Sequence, residues 1–134
     1  QVCIDDAAHA LEHSLEVQLP FLQAVLPQFS LLPLAVGAAH PQEVAEVIER
    51  LWGGDETLIV VSSDLSHYLP YATARQKDQA TTASILQLAP LTEFEQACGA
   101  LPINGMIEVA RRRGPMPGMA SSSDCRSRIA RALR

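Results

Sequence analysis

The sequence predicts an α/β fold, a three-layer sandwich around a mostly parallel or mixed sheet. Two observations support this prediction. Residues 57–61 (Thr-Leu-Ile-Val-Val) form a continuous, largely β-branched run, which is typical of a strand covered on both faces. An apolar run at 31–37, a helical pattern at 41–52 and the run at 57–61 follow in the order strand, helix, strand. Such a unit normally joins two parallel strands with a right-handed crossover.

The segment before this unit predicts an interrupted helix. Leucines recur at helical spacing across residues 12–25. Pro20 lies inside this pattern and predicts a kink or a break, because proline removes a helical hydrogen bond, and Pro27 ends the pattern. The strand predicted at 31–37 contains Pro33, which favours an edge position or a bulge.

Helical patterns dominate the rest of the chain. The clearest is 41–52, which has an apolar stripe opposite charged residues and is ended by Gly53. A longer, more polar helix is predicted at 72–88 and a short one at 93–97. A further helix, opened by a proline, is predicted at 102–113.

Composition limits the classes of protein. The chain is 48% hydrophobic, and no apolar run approaches the roughly 18 residues that a membrane span needs. The net charge is −5, and an acidic body repels phosphate backbones, so neither a membrane nor a nucleic acid is an expected partner. Three widely spaced cysteines argue against a disulfide framework and a zinc finger, and they favour reduced thiols in the cytoplasm.

Candidate chemistry begins just beyond the run at 57–61, at the edge where open α/β sheets bind ligands. The segment 62–68 (Ser-Ser-Asp-Leu-Ser-His-Tyr) gathers hydroxyls, a carboxylate and an imidazole. Asp64 and His67 are three residues apart, so both can face one site as an acid–base or metal-binding pair. The alternative is that Asp64 caps a helix and His67 lies on the surface.

Two further segments hold candidate ligands. Cys98 precedes a predicted helix, and a helix N-terminus favours the thiolate form that binds metals; the alternative is a buried, inert cysteine. His13 lies between Glu12 and Glu16 and could be a ligand or an acid, or part of exposed capping chemistry. The sequence lacks the signatures of nucleotide-binding loops, zinc proteases and serine hydrolases.

Three blocks give the chain a resemblance to a known family. They are residues 12–21 (Glu-His-Ser-Leu-Glu-Val-Gln-Leu-Pro-Phe), 60–68 (Val-Val-Ser-Ser-Asp-Leu-Ser-His-Tyr) and 97–103 (Ala-Cys-Gly-Ala-Leu-Pro-Ile). In kind, order and separation they resemble the Memo family, also called the AmmeMemoRadiSam system protein B family. We therefore expect residues 1–120 to be the C-terminal part of a Memo-like domain.

The resemblance implies a fold similar to that of the class III extradiol, non-heme-iron dioxygenases, here lacking its N-terminal part. It also implies a metal site of two histidines and a cysteine that holds iron or copper. By motif, Cys98 matches the cysteine ligand, and Asp64 and His67 match an aspartate and a histidine that line the pocket. We expect Asp64 and His67 to be catalytic, and Cys98, His67 and His13 to be metal ligands.

The chain departs from the family pattern in two places. The family's ligand histidines come from an Ala-Pro-His-Ala-Gly-Tyr-like block and a Gly-Pro-x-His-like block, and neither is in this sequence. Residues 121–134 form an atypical Arg-rich tail, where the family continues into a Val-Val-Gly-Tyr-like strand. We expect this tail to be disordered or truncated, with a nucleic-acid-binding arm as the alternative.

The resemblance leaves three functions open. The first is iron- or copper-dependent redox or dioxygenase-like chemistry in the complete protein; cysteine in place of a carboxylate softens the site toward Cu(I) and makes ring cleavage doubtful. The second is a non-catalytic binding module for a peptide, a small ligand or a radical-SAM partner protein. The third is that this chain alone is an inactive fragment.

Overall fold

The computed structural model of the chain describes residues 2–114. Cys125 and the Arg-rich segment 121–134 lie outside these residues. The chain divides into two compact units, Gln1–Gly37 and Ala38–Arg134. The described helices are α1 (Leu19–Val25), α2 (Pro41–Leu51), α3 (Tyr71–Leu86) and α4 (Ala100–Arg113), together with the 3₁₀ turns Asp6–Ala8 and Phe94–Gln96.

The predicted three-layer α/β sandwich is wrong for this chain. Between residues 2 and 114 the regular structure is entirely helical, and the segments 31–37 and 57–61 pair with no neighbouring strand. A strand is stabilised by a ladder of hydrogen bonds to a partner, and an apolar, β-branched sequence does not supply that partner by itself. The helix of the expected βαβ unit forms, but the sheet does not.

The apolar run 57–61 is instead packed against helices. Ile59 and Val61 are partly buried and contact hydrophobic clusters built by the helices. The alternate side chains Leu58 and Val60 are 63% and 36% exposed. Burial is therefore one-sided, whereas a continuous apolar run predicts burial on both faces.

The first unit contains α1, which is shorter than the sequence predicts. Helical spacing starts at residue 12, but residues 14–18 form turns and the α-helix begins only at Leu19. Pro20 then occupies the first turn of the helix, where its missing N–H would have no intrahelical partner in any case. Pro20 was predicted to kink or break a longer helix; in the structure it lies in the first turn of a shorter one.

The helices predicted after residue 40 are confirmed. α2 and α4 match the predicted spans within two residues, α3 starts one residue early, and the short helix at 93–97 is found as the 3₁₀ turn Phe94–Gln96. α2 begins with Pro41 at its first position, and the Glu43 carboxylate accepts a 2.9 Å hydrogen bond from the His40 backbone N–H. That bond satisfies a donor at the helix start and lowers the pKa of Glu43 below its ordinary value.

α4 is the central helix of the second unit, because side chains from it enter two hydrophobic clusters. Ile103 and Ile107, four residues apart on one face, belong to the first cluster, and Val109 belongs to the second. The other buried members of the first cluster are Ile85, Leu91, Ala97 and Ala100, and those of the second are Val44, Ala45 and Ile48. The second cluster is the interface between α2 and α4.

Gly105 allows α2 and α4 to approach closely. A Cβ atom at this position would lie 2.5 Å from Val44 Cγ1 and 3.3 Å from the Pro41 carbonyl oxygen. Glycine is unfavourable inside a helix by about 1 kcal/mol relative to alanine. The close contact between helices therefore explains why a residue without a side chain is accommodated here.

Polar contacts fasten both ends of α4. Near its start, the buried Asn104 side chain accepts a 2.7 Å hydrogen bond from the Leu91 N–H and donates a 2.8 Å bond to the Leu91 carbonyl. At its end, Arg112 lies 3.4 Å from a carboxylate oxygen of Glu49, and the Arg113 guanidinium lies 4.2 Å from the centroid of the Trp52 ring. These contacts fix the chain around α4 where hydrophobic packing ends.

None of the helices described between residues 2 and 114 combines the length and the apolar character that crossing a membrane requires.

The Gly105 contact predicts the effect of a methyl group at the helix interface. We expect Gly105→Ala to destabilise the chain by about 1–3 kcal/mol, because overpacking against Val44 outweighs the gain of about 1 kcal/mol in helix propensity. Urea unfolding followed by circular dichroism measures the change.

The control is a double-mutant cycle with Val44→Ala, which opens space for the new methyl group. We expect the two substitutions together to cost less than the sum of their separate effects, by at least about 0.5 kcal/mol. Strict additivity would show that the two side chains do not compete for this space.

The hydrogen-bonded Glu43 predicts a pH dependence. Because its pKa is lowered on folding from 4.5, its contribution to stability is fully present above that value and is lost as the pH falls through the lower, folded-state pKa. We expect the difference in thermal midpoint between the wild type and Glu43→Gln to shrink steadily on the acid side of pH 4.5. Glu46→Gln on the exposed face of α2 is the control, and an equal pH dependence there would contradict the assignment.

Candidate functional site

The candidate site lies in the second unit, where the irregular segment 62–68 passes over the start of α4. Cys98 precedes Gly99, the N-cap residue of that helix. The backbone N–H of Asp64 donates a 3.3 Å hydrogen bond to Cys98 Sγ, and the backbone N–H of Cys98 donates a 3.2 Å bond to the Asp64 carbonyl. This reciprocal pair places the thiol directly beside the residue that carries the candidate carboxylate.

Ser63 completes the connection between the two segments. Its hydroxyl accepts a 2.8 Å hydrogen bond from the Gly99 N–H and donates a 2.7 Å bond to the Asp64 carbonyl. The same oxygen lies 3.6 Å from Cys98 Sγ. The Asp64 N–H and the Ser63 oxygen therefore both lie beside the sulfur, which in turn lies 3.7 Å from the Asp64 carbonyl oxygen as a donor.

Gly99 makes this close crossing sterically feasible. A Cβ atom at residue 99 would lie 2.7 Å from Ser63 Cβ and 3.0 Å from the Ser62 carbonyl oxygen. The second contact is with backbone, which a rotamer change cannot relieve. Any larger residue would separate the segment 62–64 from the start of α4.

Asp64 also approaches His67 through its side chain. The carboxylate Oδ2 lies 3.8 Å from His67 Nε2, which is too long for a hydrogen bond and close enough for an ion pair when the imidazole is protonated. The two side chains are 85% and 44% exposed, so solvent screens the interaction. Asp64 thus contacts Cys98 through its backbone and His67 through its carboxylate.

Cys98 is an exposed thiol, contrary to the alternative of a buried, inert cysteine. Its sulfur is accessible to a ligand from solvent while remaining bonded to the Asp64 N–H. The metal-ligand role assigned to Cys98 by resemblance stays a prediction, as do the catalytic roles of Asp64 and His67.

His13 belongs to the first unit, where its surroundings are those of a local turn. The Glu12 carboxylate accepts 2.8 Å hydrogen bonds from the backbone N–H groups of Ser14 and His13. These bonds lower the pKa of Glu12, so this carboxylate is committed to the turn. The role of His13 as a metal ligand stays a prediction.

Sequence reasoning missed Asp78, whose carboxylate Oδ1 accepts a 2.9 Å hydrogen bond from the Ser66 backbone N–H. A signal existed in the spacing of α3. Asp78, Thr81 and Ile85 fall three and four residues apart, on the face of the helix that contains its buried residues. A carboxylate on such a face needs a hydrogen-bonding partner, because burying it unpaired is costly.

The described residues do not make a complete metal centre. Between residues 2 and 114, no group of three or more histidine, cysteine or acidic side chains is arranged to hold a metal ion. Protein metal sites normally use three or more protein ligands, and Cys98, Asp64 and His67 are not arranged as such a group. The site as it stands offers one sulfur donor and one carboxylate–imidazole pair.

Comparison with known proteins identifies the family to which the chain belongs. A family model described as "Memo-like protein" matches residues 2–130. A MEMO1 family protein of Aquifex aeolicus is 38% identical over 127 residues, covering 86% of this chain and 47% of the relative. One of Methanosarcina barkeri is 35% identical over 126 residues, covering 84% and 48%. The chain therefore belongs to the Memo-like family, as its three sequence blocks predict.

The chain spans about half the length of the curated relatives that it matches. A MEMO1 family protein of Aeropyrum pernix shows the same relation, with 35% identity over 131 residues that cover 87% of this chain and 46% of the relative. No solved structure shows a significant match.

The crossing at Gly99 yields a stability prediction. We expect Gly99→Ala to destabilise the chain by about 1–3 kcal/mol and to weaken the hydrogen bond between the Asp64 N–H and Cys98 Sγ, because the methyl group meets the Ser62 backbone. Urea unfolding measures the first effect, and the amide chemical shift of Asp64 measures the second.

Gly37→Ala is the matched control, because a Cβ atom there meets nothing within 4 Å. We expect this control to change stability by less than about 0.5 kcal/mol. Equal tolerance at both glycines, with an unchanged Asp64 amide signal, would contradict the steric role of Gly99.

Proposed function

We propose that this chain supplies the thiol side of a Memo-type pocket that serves iron- or copper-dependent redox chemistry, of a dioxygenase-like kind, in the complete protein. One observation carries the proposal. The exposed Cys98 sulfur is held 3.3 Å from the Asp64 N–H, and the carboxylate of the same residue extends toward His67. Asp64 therefore links the sulfur donor Cys98 to the imidazole of His67.

In this proposal Cys98 is the sulfur ligand. Thiolate favours soft, redox-active ions, so a site containing it is expected to prefer Cu(I) or iron over magnesium or calcium. Since residues 2–114 bring together no group of three donors, the remaining ligands would come from outside the described residues. Iron or copper would supply the electron-transfer chemistry once bound.

The Asp64–His67 pair has a separate role. Histidine is the side chain that most often serves as a general acid or base, and the His67 side chain is 44% exposed and so open to a ligand. The Asp64 carboxylate lies 3.8 Å from His67 Nε2, at the distance of an ion pair with a protonated ring. The pair is therefore suited to moving a proton to or from a ligand beside Cys98.

A non-catalytic binding module is the second candidate. The lack of a three-donor group within residues 2–114 favours it, because one exposed thiol and one ion pair are enough to contact a ligand. The ligand in that case is a peptide, a small molecule or a radical-SAM partner protein. The two candidates differ in whether the whole protein retains a metal ion.

Metal loading tests the proposal. This chain and the MEMO1 family protein of Aquifex aeolicus are loaded anaerobically with Fe(II) or Cu(I), desalted and analysed for metal. We expect stoichiometric metal in the relative, loss of that metal when the cysteine corresponding to Cys98 becomes alanine, and substoichiometric metal in this chain. Cys98→Ala should abolish the residual binding by this chain, whereas His67→Ala, which removes the proposed proton-transfer group, should reduce it less.

Cys3→Ala is the matched control, because Cys3 is also a free, exposed thiol but lies in the other unit. Its substitution should leave the metal content of this chain unchanged. Metal retained by the relative without its corresponding cysteine would refute the ligand role. A wild-type relative that retains no metal would favour the binding module.

A further inference from the structure

The segment that carries Asp64 and His67 is attached to two different helices. On one side, Asp64 is bonded to Cys98 at the start of α4, with distances of 3.3 Å and 3.2 Å. On the other side, the Ser66 N–H donates a 2.9 Å hydrogen bond to Asp78 Oδ1 on α3. Leu65, between these attachments, packs against the first cluster. The segment is thus held at two points that flank one buried side chain.

The backbone of this segment does not adopt its conformation from local preference. Tyr68 has φ of 54°, a left-handed value that is unfavourable for a residue with a side chain. The Tyr68 side chain is fully exposed, so its own packing does not offset that cost. Contacts elsewhere in the segment must therefore hold the turn, and the bond from Ser66 to Asp78 is one residue away from His67.

Asp78 is itself held in a fixed place. It follows Lys77, which donates a 3.2 Å bond to the Glu95 carboxylate, and it precedes Thr81 and Ile85, the buried residues of α3. Burial of that helical face fixes the direction of the Asp78 side chain.

The charge of Asp78 agrees with this arrangement. The Ser66 hydroxyl and the Ser66 backbone N–H, both beside the carboxylate, lower the pKa of Asp78 below its ordinary value, with smaller effects from His67 and Lys77. The hydroxyl is buried and lacks a hydrogen bond of proper geometry among the described residues, so the backbone N–H makes the directional contact. Asp78 is accordingly an ionised acceptor.

We propose that Asp78 is the positioning residue of the candidate site: its carboxylate holds the Ser66 N–H and thereby fixes where the Asp64 carboxylate and the His67 imidazole point. Asp78 acts through the backbone of the segment and does not need to contact a ligand. The inference rests on the proposed function only in taking Asp64 and His67 as the pair that lines the pocket.

Three substitutions separate the hydrogen bond from other roles of Asp78. Asp78→Ala removes the acceptor, whereas Asp78→Asn keeps a carbonyl oxygen of similar reach without the charge. Gln79→Ala is the matched control, because this neighbouring side chain is exposed and makes none of the described contacts with the segment. Ser66→Ala removes the hydroxyl while retaining the backbone N–H.

Amide hydrogen exchange and the side-chain resonances of His67 are measured on the complete 134-residue chain without metal. We expect Asp78→Ala to raise the exchange rate of the Ser66 amide by about tenfold or more and to shift the His67 ring resonances. Asp78→Asn should restore most of the protection, and Ser66→Ala and Gln79→Ala should resemble the wild type. The amides of Ile107 and Val109 in α4 serve as internal references.

An unchanged Ser66 amide in Asp78→Ala would overturn the inference. So would equal acceleration at Ser66, Ile107 and Val109, since that pattern indicates a general contribution to stability. Equal damage by Asp78→Asn and Asp78→Ala would also overturn it, because the amide retains the acceptor. If Asp78→Ala does not fold, Asp78→Glu, which displaces the acceptor by one methylene, must accelerate Ser66 selectively.

These measurements involve no metal, so they fail or succeed independently of the proposed function. A relative without retained metal would refute the redox proposal while leaving the role of Asp78 in place. If the Ser66 amide exchanged equally slowly with and without the Asp78 carboxylate, the positioning role would be refuted. Cys98 would still be a candidate ligand.

Discussion

Burial of α4 on several sides is the constraint on which the second unit depends. From Ala100 to Ala110, every residue of this helix is at least partly buried. Gly105 admits α2, and Asn104 satisfies the backbone of the segment that approaches from α3. The start of the same helix holds the candidate site. Packing of α4 and the geometry around Cys98 are therefore determined together.

The sequence predicted the helices of this unit because their periodicity is local. α2 carries apolar residues at helical spacing and a proline at its first position, and both features act within a few residues. Whether a sheet forms could not be predicted in the same way. Residues 57–61 have the composition of a strand, but strand pairing depends on residues far away in the sequence. Ile59 shows the consequence, because it is partly buried against α2 and α4 instead of a neighbouring strand.

The candidate site was accessible to sequence reasoning only in part. The spacing of Asp64 and His67 anticipates that both reach the same place, and they lie 3.8 Å apart. The contact of the Asp64 backbone with Cys98 spans 34 residues and depends on Gly99, and only family resemblance, not spacing, grouped these residues in advance. The spacing of α3 indicates that Asp78 needs a partner, but the identity of that partner, Ser66, follows only from three-dimensional packing, because nothing local links a loop amide to a carboxylate twelve residues on.

The stacking of Arg113 on Trp52 has a consequence for optical spectroscopy. Trp52 is the single tryptophan of the chain, and it packs against the cluster that joins α2 to α4. Its emission therefore reports on the pairing of these two helices. The segment around Leu65 packs against the other cluster, away from this fluorophore. Tryptophan fluorescence will therefore follow the separation of α2 from α4 on unfolding. Binding of a ligand beside Cys98 has to be followed with a probe attached to the thiol itself.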